Sequence, residues 1–146
     1  MTGNDIKTVL IIGSGTMGQQ IGFVCALHGC HVHMYDVHEE ALKSAQNRLT
    51  QLAQWFEKHT VKNTTNALSL IRYYTDPQQA AIDVDFVSES VPENPELKAK
   101  VFSTFHALCR EQTIFTTNTS SLVPSQIAAA TGRPDRFLAF HFHDIR

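Results

Sequence analysis

Three polar stretches gather residue types that can handle a hydroxyl, a carbonyl or a proton. They are Ser88-Glu89-Ser90-Val91-Pro92-Glu93-Asn94, Asn118-Thr119-Ser120-Ser121-Leu122 and His141-Phe142-His143. An imidazole titrates near neutrality and can take or give a proton; a serine hydroxyl can hold a reacting oxygen; an asparagine amide both donates and accepts. A fourth stretch, Gly13-Ser14-Gly15-Thr16-Met17-Gly18, has the G-x-G-x-x-G spacing of a turn that brings backbone N–H groups close to a diphosphate. Taken singly, each has a plain structural reading. Residues 118–121 would suit a polar loop capping a helix, His141 a histidine at a strand end, and the glycines an ordinary turn beside a surface aspartate. What decides between the readings is where the elements place them.

Short apolar runs alternate with helical patterns along the chain. Thr8–Ile12 is a continuous apolar run ending in glycine, as a strand covered on both faces should read. The spacing of Met17, Ile21, Val24 and Leu27 predicts a helix over Thr16–His28, stopped by Gly29. His31–Tyr35 reads as a second strand closed by Asp36, and Glu39–His59 as a long helix with its apolar stripe on Ala41, Leu42, Ala45, Leu49, Leu52, Ala53 and Phe56. Further strands are expected at Ile71–Tyr74, Val84–Ser88, Ile114–Thr117 and Phe137–His141. Helices are expected from Asp76-Pro77, from the N-cap Asn94-Pro95-Glu96, and over Pro124–Ala130 before Gly132. Strands regularly separated by helices give an α/β fold: a Rossmann-type, doubly wound, mainly parallel sheet with helices on both faces. All four polar stretches then fall at carboxyl ends of strands, the edge where open α/β sheets bind ligands.

That context turns the glycine string into a dinucleotide fingerprint, because it follows a buried strand and opens a helix. Gly13 serves the tight turn, Gly15 the approach of the pyrophosphate to the N–H groups at Thr16 and Met17, and Gly18 the packing of helix on sheet. Asp36, at the end of the next strand, can accept from both ribose hydroxyls and would repel a 2′-phosphate. No arginine stands in Val37-His38, so NAD is expected as the cofactor in place of its 2′-phosphorylated form.

At 146 residues, with 42% hydrophobic and 18% charged content, the chain reads as one globular domain. A formal charge of −2 and the absence of a lysine cluster speak against nucleic-acid and membrane-surface partners. Val9–Ile12, the longest apolar run near the start, is far short of the roughly 20 residues of a membrane span. Cys25, Cys30 and Cys109 show no C-x-x-C spacing, which fits free thiols in a reducing compartment and a cytoplasmic location. His31-x-His33 and His141-x-His143 pair imidazoles along strands but supply no third ligand, so no metal site is expected. Lys58 and Lys62 read as a solvated helix end, and Trp55 and Phe56 as core.

The ordered set of four motifs closely resembles the NAD-binding domain of the 3-hydroxyacyl-CoA dehydrogenases, from about Lys7 to His143. The resemblance implies hydride transfer between NAD and C3 of a 3-hydroxyacyl-CoA, giving a 3-oxoacyl-CoA. It makes His141 the proton-transferring residue. Ser120 would hold the reacting oxygen, among the cofactor contacts as well, with Asn118 beside it. Glu93 and Lys98 match a pair near the nicotinamide ribose. Two alternatives remain open: a dehydrogenase of a free small 3-hydroxy acid, and a non-catalytic NAD-binding or structural relative.

One departure stands out. The family usually reads H-F-F-N-P where this chain has His141-Phe142-His143-Asp144-Ile145, so a carboxylate replaces an amide and the contact made there is in question. The family's histidine-orienting glutamate, and the helical domain that completes the acyl site and the homodimer, would lie past Arg146. The chain is therefore expected to be the N-terminal part of a longer polypeptide, able to bind cofactor and poor at turnover by itself.

Overall fold

Alternation along one strand organises the molecule. In β1 (Thr8–Ile12), Val9 and Ile11 point into one core, with Ile21 and Phe23 of α1 (Thr16–Leu27) and Leu42, Ala45, Leu49 and Ala53 of α2 (Glu39–His59). Leu10 and Ile12 point into the other, with Val87 of β4 (Phe86–Glu89), Phe102 and Phe105 of α5 (Pro95–Leu108) and Phe115 of β5 (Ile114–Thr117). Burying each such side chain is worth roughly 1.5–3 kcal/mol, so a run that is apolar at every position is what a two-faced sheet demands. The computed structural model describes residues 6–59 and 64–145; Lys62 and Arg146 lie outside them.

With β2 (His31–Tyr35), β3 (Ile71–Tyr74) and β6 (Phe137–Ala139), the sheet has six strands in the order β3-β2-β1-β4-β5-β6. Every neighbouring pair is parallel. The chain runs outward from β1 to β3 and returns beside β1 at β4, so the strand order reverses between those two. There a crevice opens, in the position where such sheets take ligands. Register aligns the strand ends across it: Ile12 faces Glu89, Glu89 faces Thr117 and Thr117 faces Ala139. The sheet itself therefore carries the four polar stretches to one edge.

Helix starts follow the sequence closely. Asp76 caps α4 (Pro77–Ala80) by accepting from the Gln78 N–H at 2.9 Å, and Asn94 caps α5 by accepting from Leu97 at 2.9 Å. Several boundaries differ. β4 begins at Phe86 and not Val84, because the chain enters it through Asp83 at φ +56° and through Asp85, whose carboxylate accepts from the Lys7 and Thr8 N–H groups at 2.9 Å. β6 ends at Ala139 and not His141. Its last ladder bond is from Phe140 N–H to the Thr117 carbonyl at 3.0 Å, and β5 offers no backbone beyond it. His141 and His143 thus lie on irregular chain, not on a strand. The expected helix over Pro124–Ala130 is α6 (Ser125–Ala128) followed by a 3-10 turn to Thr131, ended by Gly132 at φ +64°.

The sequence reading missed α3 (Thr64–Ser69), a short polar helix that buries only Thr64 and Ala67. It also missed Arg133, whose guanidinium donates to the carbonyls of Arg110 (2.7 Å) and Thr113 (3.1 Å) and stacks over Phe115 at 4.4 Å. That contact fastens the approach to β6 onto the start of β5.

Candidate functional site

The glycine turn is built for close approach. Gly13 adopts φ +98°, and a Cβ there would come within 2.8 Å of the Ser90 carbonyl oxygen. A Cβ on Gly18 would collide with the Gly13 carbonyl oxygen, so only glycine lets α1 rise this steeply from β1. Gly15, exposed at the N-terminus of α1, would carry a Cβ that meets no protein atom within 4 Å. Helix α1 begins with no side-chain cap and no acidic residue in its first turn, leaving its positive end open to an anion.

Asp36 stands beside this turn as expected. Its Oδ2 accepts from the Ser14 N–H (3.0 Å) and Ser14 hydroxyl (2.8 Å), and its Oδ1 from the His38 N–H at 3.1 Å. Those bonds aim the carboxylate and leave acceptor capacity on both oxygens. Gln19 locks the turn from below, its Nε2 donating to the Ser14 carbonyl at 2.7 Å. Ser14 and Gln19 were not foreseen as site residues. A cleft of about 840 Å³ opens here, lined among others by Gly13, Gly15, Asp36, Val91, Leu97 and Lys100. Glycine turn, uncapped helix end and the carboxylate of Asp36 beside them fit a dinucleotide.

On the other side of the reversal a chain of polar side chains replaces apolar packing. Glu89, 0% exposed, forms an ion pair with Lys98, 1% exposed, at 2.8 Å. The Thr117 hydroxyl donates to Glu89 at 2.7 Å, and so does the Val91 N–H at 2.6 Å. Lys98 also lies 3.6 Å from Glu93. The Thr119 hydroxyl donates to Glu93 at 2.7 Å and the Ser120 N–H at 3.4 Å. Partial burial alone would raise the Glu93 pKa. The Thr119 hydroxyl and the Lys98 charge, helped by the Ser120 N–H, outweigh that and hold it below the usual carboxylate range. Lys98 thus presents no surface to a ligand and instead fixes Glu93, which does.

Asn118 and His141 meet through the backbone. Asn118 Oδ1 accepts from the Phe142 N–H at 2.8 Å, which sets the chain immediately after His141 against the end of β5. The His141 ring is exposed and stands edge-on to His143, with centroids 4.9 Å apart. Among the described residues no group of three His, Cys, Asp or Glu is placed to hold a metal. Trp55 does not join the core: it is 40% exposed and stacks on His59 at 4.7 Å. It flanks a groove of about 390 Å³ between α1 and α2, while Phe56 turns inward onto Phe23.

Residues 8–144 match the family model for the 3-hydroxyacyl-CoA dehydrogenase, NAD binding domain. The chain belongs to this family. A probable 3-hydroxybutyryl-CoA dehydrogenase of Bacillus subtilis (strain 168) is 37% identical over 144 residues, covering 94% of this chain and 49% of that protein. A solved diketoreductase structure superposes with a TM-score of 0.93 at 41% identity, over 99% of this chain and 52% of that one. The 3-hydroxybutyryl-CoA dehydrogenase of Escherichia coli K12 gives 0.88 at 35% identity, over 94% and 30%. The chain thus spans about half, or less, of the length of the relatives it matches. Among the described residues no helix is long and apolar enough to cross a membrane.

Proposed function

We propose that this domain serves an NAD-dependent 3-hydroxyacyl-CoA dehydrogenase. The observation that carries the reading is the single edge on which the glycine turn, Glu93, Asn118–Ser120 and His141 stand, across the crevice from one another. Bound there, NAD would accept the hydride that leaves C3 of the 3-hydroxyacyl thioester, and the product is a 3-oxoacyl-CoA, NADH and a proton.

The residues divide the task. Backbone N–H groups at Gly15, Thr16 and Met17 meet the pyrophosphate, with Gly13 and Gly18 giving the turn its shape. Asp36, aimed by Ser14, holds the adenosine ribose. Glu93 faces the nicotinamide ribose, and Lys98, fixed by its pair with Glu89, holds Glu93 from 3.6 Å away. The His141 imidazole takes the hydroxyl proton in oxidation and, as imidazolium, returns it in reduction. Ser120 and Asn118 hold the substrate oxygen with hydroxyl and amide donors, which steadies the negative charge that gathers there. We assign the protein to the cytoplasm on its three free cysteines, and expect a homodimer formed through a further helical domain.

Acetoacetyl-CoA reduction by the complete protein, followed by NADH absorbance, tests this reading. Turnover supports it; NADH binding without turnover contradicts it. A second reading, reduction of a dicarbonyl compound not esterified to CoA, is favoured by the likeness to the diketoreductase. Turnover of a free diketone but not of the thioester would select it.

A further inference from the structure

His141 itself makes no hydrogen bond among the described residues, so its place must come from how the chain around it is held. Besides the packing of the Phe142 ring on the core and on Phe140, two polar pins hold it, and one is Asn118, through the Phe142 N–H. The other is Gln20, a residue of α1 only 4% exposed. Its Nε2 donates to Asp144 Oδ1 at 3.2 Å, and its Oε1 accepts from the Ile145 N–H at 3.0 Å. A side-chain amide can ordinarily be turned either way, but here both partners dictate its direction. An ionised carboxylate only accepts and a backbone N–H only donates, so Gln20 has one satisfying orientation.

From this geometry we infer that Gln20 and Asp144 form a positioning pair that ties the cofactor-binding helix to the histidine segment. Asp144 stands where the family usually has asparagine, and its carboxylate is the anchor for Gln20. The same helix whose N-terminus faces the pyrophosphate thereby sets the height of the chain carrying His141. The inference rests on the proposed dehydrogenase reading for its catalytic meaning, and on the two hydrogen bonds for its structural content.

Reversing donor and acceptor tests the pair in the complete protein. Gln20→Glu turns the donor facing Asp144 into an acceptor and sets two carboxylates together. Adding Asp144→Asn restores both bonds, because the asparagine amide donates to the introduced carboxylate and the Ile145 N–H still has its acceptor. Gln20→Glu should lower kcat about tenfold through a misplaced histidine, with NADH affinity and the acyl-CoA KM unchanged. The double variant should recover most of that loss. Asp144→Asn alone should lose less than Gln20→Glu, since its carboxamide can turn its oxygen to Gln20. Repulsion between the two carboxylates should draw the introduced side chain away from the Ile145 N–H, so amide exchange at Ile145 should speed up in Gln20→Glu and slow again in the pair, a readout that needs no turnover. If Gln20→Glu fails to fold, Gln20→Met removes both bonds without adding charge and should show the same kinetic and exchange changes. A double variant no better than Gln20→Glu, or unchanged exchange at Ile145, overturns the inference. Wild-type protein that reduces no acyl-CoA would overturn the proposed function instead, and exchange would then judge the anchor by itself.

Discussion

The two halves of the sheet are held in different ways. From β1 to β3 the site is shaped mainly by backbone: glycines at positions where a Cβ would strike Ser90 or Gly13, and a helix end with no cap of its own, with Asp36 held beside them by Ser14. From β4 to β6 it is made of side chains that hold one another, Glu89 with Lys98, Lys98 with Glu93, Glu93 with Thr119, and Asn118 with Phe142. The first kind of site is rigid because alternatives are sterically closed. The second is rigid only while every buried polar partner is present. In the function proposed above, the first would meet the diphosphate end of the cofactor, and the second its nicotinamide end and the reacting atoms.

Breaking the buried pair should hurt most. Lys98→Met leaves Glu89 uncompensated at 0% exposure, and should cost about 3–5 kcal/mol in denaturant unfolding. Removing both charges in Lys98→Met with Glu89→Leu should recover much of that stability while leaving Glu93 without its cation. Equal stability of Lys98→Met and wild type would mean that the β4–β6 half is not held by this pair. On the other side, Gly13→Ala should cost about 1–3 kcal/mol through its φ of +98° and weaken NADH binding in a fluorescence titration. Unchanged affinity would remove the steric account of the turn.

Glu93 sharpens the contrast through pH. Its folded pKa is lowered, so its contribution to stability is fully present above the ordinary carboxylate pKa and is lost as pH falls through the folded value. A carboxyl NMR titration should place its midpoint below that of an ordinary glutamate, and Lys98→Met should move it up. The smallest effect concerns thiols. Burial pushes Cys25 and Cys109 up to about 11, so both should alkylate slowly at neutral pH in the native protein and quickly once unfolded.

This contrast also explains what could be read in advance. The glycine turn was legible because the backbone imposes its own residue types at fixed spacing, and the buried run Thr8–Ile12 because a two-faced sheet excludes polar residues. The parallel, doubly wound sheet followed from strand–helix alternation. Glu89 was not legible: in Ser88-Glu89-Ser90 it looks like loop, and its partner lies on the next helix across the sheet edge. Lys98 was expected beside the nicotinamide ribose and its burial was not foreseen, since an exposed and a buried lysine look alike in a helical pattern. Trp55 was expected in the core because aromatic residues on an amphipathic helix usually go there, yet the groove between α1 and α2 leaves it exposed. Asp144 was visible only as a departure; its partner, Gln20, lies far away in sequence and carries no motif.

The most direct test of the division of labour is His141→Ala in the complete protein, with NADH affinity and acetoacetyl-CoA turnover measured on the same preparation. Turnover should fall by roughly 10²–10⁴-fold, while NADH affinity stays as in wild type. Retained turnover, or a parallel loss of NADH binding, would contradict the account.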